Sequence, residues 1–205
     1  PTDAYNLAAI LILLALLVLL STGIFAMRRI PKPVARTITD LDTDALRDLC
    51  APTHPAPDIT INGITFRSGQ VTALVGPNGS GKTTLLGRIG GRLNGGQVVL
   101  GDADVSALPP HRRGVVVVTQ QPGLPPFATV AQALTMVTRD SDRSRRLLAA
   151  SGLQELAKVR CDRLSGGQAA QVALVRGLSA RPAVLLLDEP LAAVDSAAAH
   201  RWRTL

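Results

Sequence analysis

Residues 76–84, GPNGSGKTT, restrict what this chain can fold into more than any other stretch. They fit the pattern G-x-x-x-x-G-K-[ST] through Gly76, Gly81, Lys82 and Thr83. The pattern needs a strand before it and a helix after it. Residues 70–76 (QVTALVG) are apolar and β-branched and predict a buried strand. Residues 85–93 (LLGRIGGRL) predict the helix that the loop opens. Glycines let such a loop curl until successive N–H groups point into one concavity, and the helix adds the positive end of its dipole. A cradle of Gly76, Pro77, Asn78, Gly79, Ser80, Gly81, Lys82, Thr83 and Thr84 fits a nucleoside triphosphate. Lys82 would reach the β- and γ-phosphates, and the Thr83 hydroxyl would sit on Mg²⁺. The rival reading is a glycine-rich turn that matches by accident.

Length and charge bound the rest. The 205 residues, 46% of them hydrophobic and only 2% aromatic, suffice for one α/β domain with a core and an appendage. A net charge of +7 suits nucleic acid or an anionic membrane surface. No basic run interleaves with aromatics, so no nucleic-acid partner is expected. The arginines are spread thinly, as on an ordinary solvated surface. Cys50 and Cys161 show neither metal-ligand spacing nor a disulfide framework and read as buried or incidental thiols. The sequence opens on Pro1 and stops within a helical pattern, so a segment of a longer polypeptide is expected.

Residues 7–27 carry no charge, and about twenty residues of helix cross the ~30 Å hydrocarbon layer. Arg28, Arg29 and Lys32 follow at once, while only Asp3 precedes, which puts the C-terminal side in the cytoplasm. Residues 1–29 are therefore expected to be a transmembrane helix. A signal peptide would need a basic start, which is lacking. A buried globular helix would seldom stay uncharged for this length. Residues 30–57, with prolines at 31, 33, 52, 55 and 57, read as a linker holding one short helix from near Thr43. Residues 58–205 are expected to form the nucleotide-binding domain.

Within that domain, residues 59–66 (ITINGITF) predict short strands about an Asn-Gly turn. Residues 97–100 and 114–119 predict further strands, the second ending at Gln120 and Gln121. A proline-rich loop (PGLPPF) leads to a helix from near Thr129, and residues 143–157 are helical in period with an interruption at Gly152. LSGGQ, residues 164–168, heads another helix that Pro182 stops. Residues 183–187 are an apolar strand ending in Asp188, Glu189 and Pro190. A carboxylate at such a strand end can hold Mg²⁺ through water, which suits Asp188. Glu189 would then polarise the attacking water as general base. An acidic turn facing solvent is the alternative. Ser165, Gly166 and Gly167 at a helix N-terminus suit a γ-phosphate.

The order GPNGSGKTT, Gln120, LSGGQ, VLLLDEP and Asp195 resembles the ATP-binding subunit of ABC transporters, from about Ile59 to the end. The resemblance implies an α/β P-loop NTPase fold with a helical subdomain, here preceded by the single transmembrane helix. It implies ATP hydrolysis with ATP and Mg²⁺ as cofactors. Thr83, Gln120 and Asp188 would face the metal, and residues 121–128 would face the coupling helix of a membrane domain. Gln121 is adjacent, but the spacing to Thr129 and Val130 favours Gln120. Ser165, Gly166, Gly167 and Gln168 would contact ATP bound to the opposite protomer of a head-to-tail pair, with Asp195 as the D-loop aspartate at that interface. The implied partners are a second ABC ATPase domain in a homodimer or pseudo-dimer, a transmembrane permease domain in the same polypeptide, the membrane and, for an importer, an extracytoplasmic substrate-binding protein. The implied location is the cell membrane, with the ATPase domain on its cytoplasmic side.

The chain also departs from the family's pattern. The region of residues 52–57 has no aromatic for adenine stacking; His54 is a poor substitute. Gln171 stands where arginine is common, while Arg176 matches a later arginine. The D-loop reads Ala192-Ala193-Val194-Asp195, with alanine where serine is common. The family's switch histidine would lie beyond Leu205, and His200 reads as a helix-surface residue, so this stretch alone should hydrolyse ATP poorly. The first twenty residues are similar to the last helix of importer permeases for molybdate and related oxyanions. Two rival classes are a non-transport ABC ATPase and a catalytically weak regulatory domain; the missing aromatic supports the latter.

Overall fold

The computed structural model describes residues 41–203. The expected membrane span over residues 1–29 lies outside the described residues, and no described helix is long and apolar enough to cross a membrane.

Two small sheets carry the core. Strands β1 (Ile59–Ile61) and β2 (Ile64–Phe66) pair antiparallel, with Ile61 opposite Ile64. Asn62 and Gly63 between them have φ of 50° and 82°. Two successive left-handed residues make the tight turn whose twist matches the strands, as the Asn-Gly pair predicts. β3 (Val98–Leu100) lies on the other side of β1, and β4 (Ala103–Asp104) follows, giving the order β2-β1-β3-β4. The second sheet is one parallel pair, β5 (Val115–Val118) with β6 (Val184–Leu187), in register Val118 to Leu187. Ile61, Val98, Leu100, Val115, Val184 and Leu186 from both sheets meet Leu86 and Ile89 in one apolar cluster.

Leu86 and Ile89 belong to α2 (Lys82–Ile89), the helix opened by the glycine loop. A helical layer stands beside the sheets: α3 (Val130–Thr138), α4 (Ser141–Ala150) and α5 (Gly166–Ser179) pack on one another. Their starts are written in the sequence. Thr129 with Gln132, and Ser165 with Gln168, form reciprocal capping boxes, and the Asp140 carboxylate accepts from the N–H groups of Asp142 and Arg143. A last helix, α6 (Ser196–Arg203), follows β6.

The short helix expected near Thr43 is α1 (Thr43–Cys50), capped by Asp42. It packs against α4 and α5 through Leu46 and Leu49, 0% and 6% exposed. Its final carbonyls, which a helix leaves without partners, accept from two arginines: Arg143 Nη2 donates to Leu49 O at 2.8 Å and Arg181 Nη2 to Asp48 O at 3.5 Å. Removing a fully buried leucine side chain typically costs about 2–5 kcal/mol. Leu46→Ala should therefore lower the urea midpoint of the protein, whereas an undocked linker helix would leave that midpoint unchanged.

Two expectations need correction. Residues 70–76 are not a buried strand: they make no ladder, and Val71 and Val75 are 103% and 93% exposed. Valine favours a strand only where a neighbouring strand accepts its hydrogen bonds and covers its side chain. Among the described residues β6 pairs with β5 alone. A groove of about 470 Å³, lined by residues 70–74 on one wall and 183–189 on another, takes the place of that contact. The arginines are not all solvated either. Arg113 is 8% exposed, and its guanidinium donates to the carbonyls of Arg88, Ile89, Ser106 and Leu108 at 2.7–3.1 Å. Arg88 and Ile89 close α2, so a cation sits at the negative end of that helix. Gly91, with φ of 74°, makes room: a Cβ there would lie 2.6 Å from Arg113 Nε.

Candidate active site

The loop before α2 is shaped by glycine conformations that other residues resist. Gly79 has φ of 82° and Gly81 has φ of 90°, so both lie in the left-handed region. Gly76 is held close by packing, since a Cβ there would lie 2.9 Å from Ser80 Oγ. Ser80 N–H donates to Pro77 O at 3.2 Å and closes the turn through Asn78 and Gly79. Gly81 provides no side-chain cap for α2. The first N–H groups of that helix, from Lys82, Thr83 and Thr84, therefore have no intrahelical acceptor and form a site for an anion.

Lys82 Nζ donates to Gly76 O and Pro77 O, both at 2.9 Å. An ammonium group has three donors. Two hold the loop's own carbonyls, and the third remains for an anion in the concavity. The next residue reaches across the sequence: Thr83 Oγ1 donates to Asp188 Oδ1 at 3.2 Å over 105 positions. Asp188 is placed by the parallel pair, because its N–H donates to Val118 O at 2.9 Å and extends the β5–β6 ladder by one residue. Gln120, two residues past Val118, is exposed at the same sheet edge. Glu189 follows with φ of 48°. A non-glycine residue held there carries backbone strain on the order of 1–3 kcal/mol, a pattern that clusters at functional sites.

The tip of α5 forms a second constellation. Ser165 Oγ accepts from Gln168 N at 3.2 Å, and Gln168 Oε1 accepts from Ser165 N at 3.0 Å. Gly167 lies against the chain that follows β6: a Cβ there would meet Ala193 O at 2.9 Å. Asp195 caps α6, with its carboxylate accepting from Ala198 N at 2.8 Å. Just upstream, Arg160 grips Asp162 through two hydrogen bonds and holds that carboxyl below the usual aspartate range. Val130 N donates to Val159 O and Cys161 N to Ala128 O, both at 2.9 Å, which fastens the end of the loop after Gln120 to the approach to LSGGQ.

The structure thus brings together Lys82, Thr83 and Asp188, with Gln120 and Glu189 at the same strand ends. It places Gly166 and Gly167, next to Ser165, beside Ala193 and Val194 instead. His200 lies on the exposed face of α6, as expected, and Cys50 and Cys161 are both free. Sequence reading missed the Arg113 clamp and the buried bond from Trp202 Nε1 to Gln171 Oε1 at 3.1 Å. One of two adjacent arginines before a β-branched run carries no local signal of burial. A glutamine facing α5's neighbours is legible only once α6 is in place.

The profile of the ABC transporter family matches residues 61–192. The chain is 39% identical over 147 residues to a putative 2-aminoethylphosphonate import ATP-binding protein of Salmonella typhimurium, a match over 67% of this chain and 40% of that one. It is 36% identical over 152 residues to the putrescine transport ATP-binding protein of Escherichia coli, covering 69% and 40%. It is 36% identical over 146 residues to the tungstate uptake system ATP-binding protein of Peptoclostridium acidaminophilum, covering 67% of each. Among solved structures it is similar to a dimeric ATP-binding cassette in a post-hydrolysis state bound to ADP and Pi, with TM-score 0.55, 27% identity and coverage of 61% and 62%. This chain therefore spans about two fifths of the phosphonate and putrescine relatives.

Proposed function

The chain belongs to the ABC transporter family, and on that premise we propose that it is the ATP-binding and ATP-hydrolysing cassette of a membrane importer. The observation that carries the reading is the 3.2 Å contact of Thr83 Oγ1 with Asp188 Oδ1, one residue from Lys82 and its cradle. A hydroxyl and a carboxylate meeting at the edge of an anion site are the hard oxygen donors that suit Mg²⁺. Thr83 and Asp188 would hold that ion, with Gln120 beside them. When bound, the ion neutralises charge on the phosphate oxygens.

The remaining steps belong to the chain's own groups. The N–H groups of residues 82–84 and the free donor of Lys82 orient the triphosphate. Glu189 would accept a proton from the attacking water as the water oxygen bonds to the γ-phosphorus and the bond from that phosphorus to the bridging oxygen breaks, releasing ADP and phosphate. Gly166 and Gly167 lie against Ala193 and Val194, while Lys82 of their own chain donates to Gly76 and Pro77, which supports a site completed by a second cassette. The dimeric state of the solved neighbour supports the same reading. Closure on ATP and reopening after hydrolysis would then drive alternating access of a permease, with the cassette at the cytoplasmic face of the membrane. The import direction rests on the names of the phosphonate, putrescine and tungstate relatives. An oxyanion cargo is favoured by the phosphonate and tungstate relatives and by the likeness of residues 1–20 to the last helix of oxyanion importer permeases.

The test is Mg²⁺ dependence of binding. In the full-length protein, Mg²⁺ should tighten binding of a fluorescent ATP analogue, and Asp188→Asn should remove most of that gain while leaving metal-free binding in place. An undiminished Mg²⁺ effect in the variant would reject this site.

A further inference from the structure

Trp202 and Gln171 form a buried hydrogen bond that the nucleotide chemistry does not use. Trp202, the single tryptophan of the chain, is 5% exposed on α6, and Gln171 is 2% exposed on α5. The indole Nε1–H donates to Gln171 Oε1 at 3.1 Å. An indole is a donor only, so its buried partner must be an acceptor, and a guanidinium at position 171 could not accept. The presence of glutamine where the resemblance expects arginine therefore has a local physical cause.

The bond lies between the two elements that bear Ser165 and Asp195. Gln171 is six residues along the helix that Ser165 caps, and Trp202 is seven residues from Asp195, which caps its own helix. At about 1.5 Å per residue, each side of the bond sits roughly 10 Å behind its tip. The tips also touch: Gly167 leaves room for Ala193 O, which a Cβ would meet at 2.9 Å. One directional hydrogen bond thus links α6 itself to α5, and one close backbone approach links the chain just before α6 to the tip of α5.

We propose that Gln171 and Trp202 are a positioning pair that makes the serine-glycine tip and the Asp195 loop move as one body when two cassettes close on ATP. This rests on the function proposed above. Neither side chain touches nucleotide. Their effect is on the rate of forming the closed, hydrolysing state, while the grip of Lys82 and Thr83 sets the first ATP contact. Breaking the bond should lower kcat without a matching change in KM.

The experiment uses the full-length protein with Trp202→Phe, Gln171→Met and both together. Each kcat is expressed per ATP-binding site, so that a misfolded fraction is not counted. Each single change should lower kcat by about fivefold, the factor expected for one neutral hydrogen bond, with KM for ATP within about twofold of wild type. The double variant should be no worse than the poorer single, because both remove the same interaction. In Gln171→Met the tryptophan emission should shift to shorter wavelength as the indole loses its acceptor, which reports the bond itself. Wild-type kcat in both singles, or additive losses in the double, overturns the pair. A protein that neither binds nor hydrolyses ATP in its wild-type form fails the functional reading instead, so the two failures are separable. Should Trp202→Phe not fold, the kcat, KM and emission of Gln171→Met decide alone.

Discussion

Lys82→Ala should weaken ATP binding by at least about 100-fold. The side chain has two tasks in the structure. Its ammonium donates to Gly76 O and Pro77 O at 2.9 Å, tying the loop into its curl, and it keeps one donor for phosphate. Alanine removes all three. A hydrogen bond to a charged group contributes about 1.5–3 kcal/mol, and each 1.4 kcal/mol is tenfold in affinity, so loss of the phosphate bond and partial collapse of the cradle together exceed two decades. Arginine should not restore binding, since a planar fork cannot place donors on both carbonyls and in the concavity between them. Titration with a fluorescent ATP analogue measures this, and binding within about threefold of wild type would remove Lys82 from the site.

Glu189→Gln should separate binding from turnover. The amide keeps the size of the side chain, and the backbone at φ of 48° is a position that glutamine and glutamate tolerate equally poorly. An amide cannot take a proton from water, and loss of a positioned general base typically costs about 10²–10⁴ in rate. ATP affinity should remain within a few-fold of wild type, because none of the loop hydrogen bonds involves this residue. Single-turnover phosphate release gives the rate. Equal turnover in both proteins would assign the base elsewhere.

Much of this site is legible in the sequence, for reasons that differ by residue. The loop 76–84 is local chemistry: its glycines dictate the curl, and Lys82 and Thr83 sit at fixed offsets within it. The strand β6 could be read from an apolar run ending in Asp188. The capping pairs Ser165–Gln168 and Thr129–Gln132 are also local, spaced three apart at helix starts. The failures are all non-local. The valines of residues 70–76 have strand propensity, yet whether they form a strand depends on a neighbour, and β6 does not supply one. Arg113 is buried because the distant carbonyls of Arg88 and Ile89, at the end of α2, converge on it with the nearby carbonyls of Ser106 and Leu108. The 3.2 Å meeting of Thr83 and Asp188 spans 105 residues, and sequence order alone supplied the two ends but not the contact.

The direct measurement is the structure of the full-length Glu189→Gln protein with Mg·ATP, which should arrest the complex before hydrolysis. One triphosphate should be held by Lys82 and Thr83 of one protomer, with the hydroxyl of Ser165 of the partner subunit on its γ-phosphate. A triphosphate enclosed by a single protomer, or a loop 76–84 that binds none at saturating Mg·ATP, would contradict it.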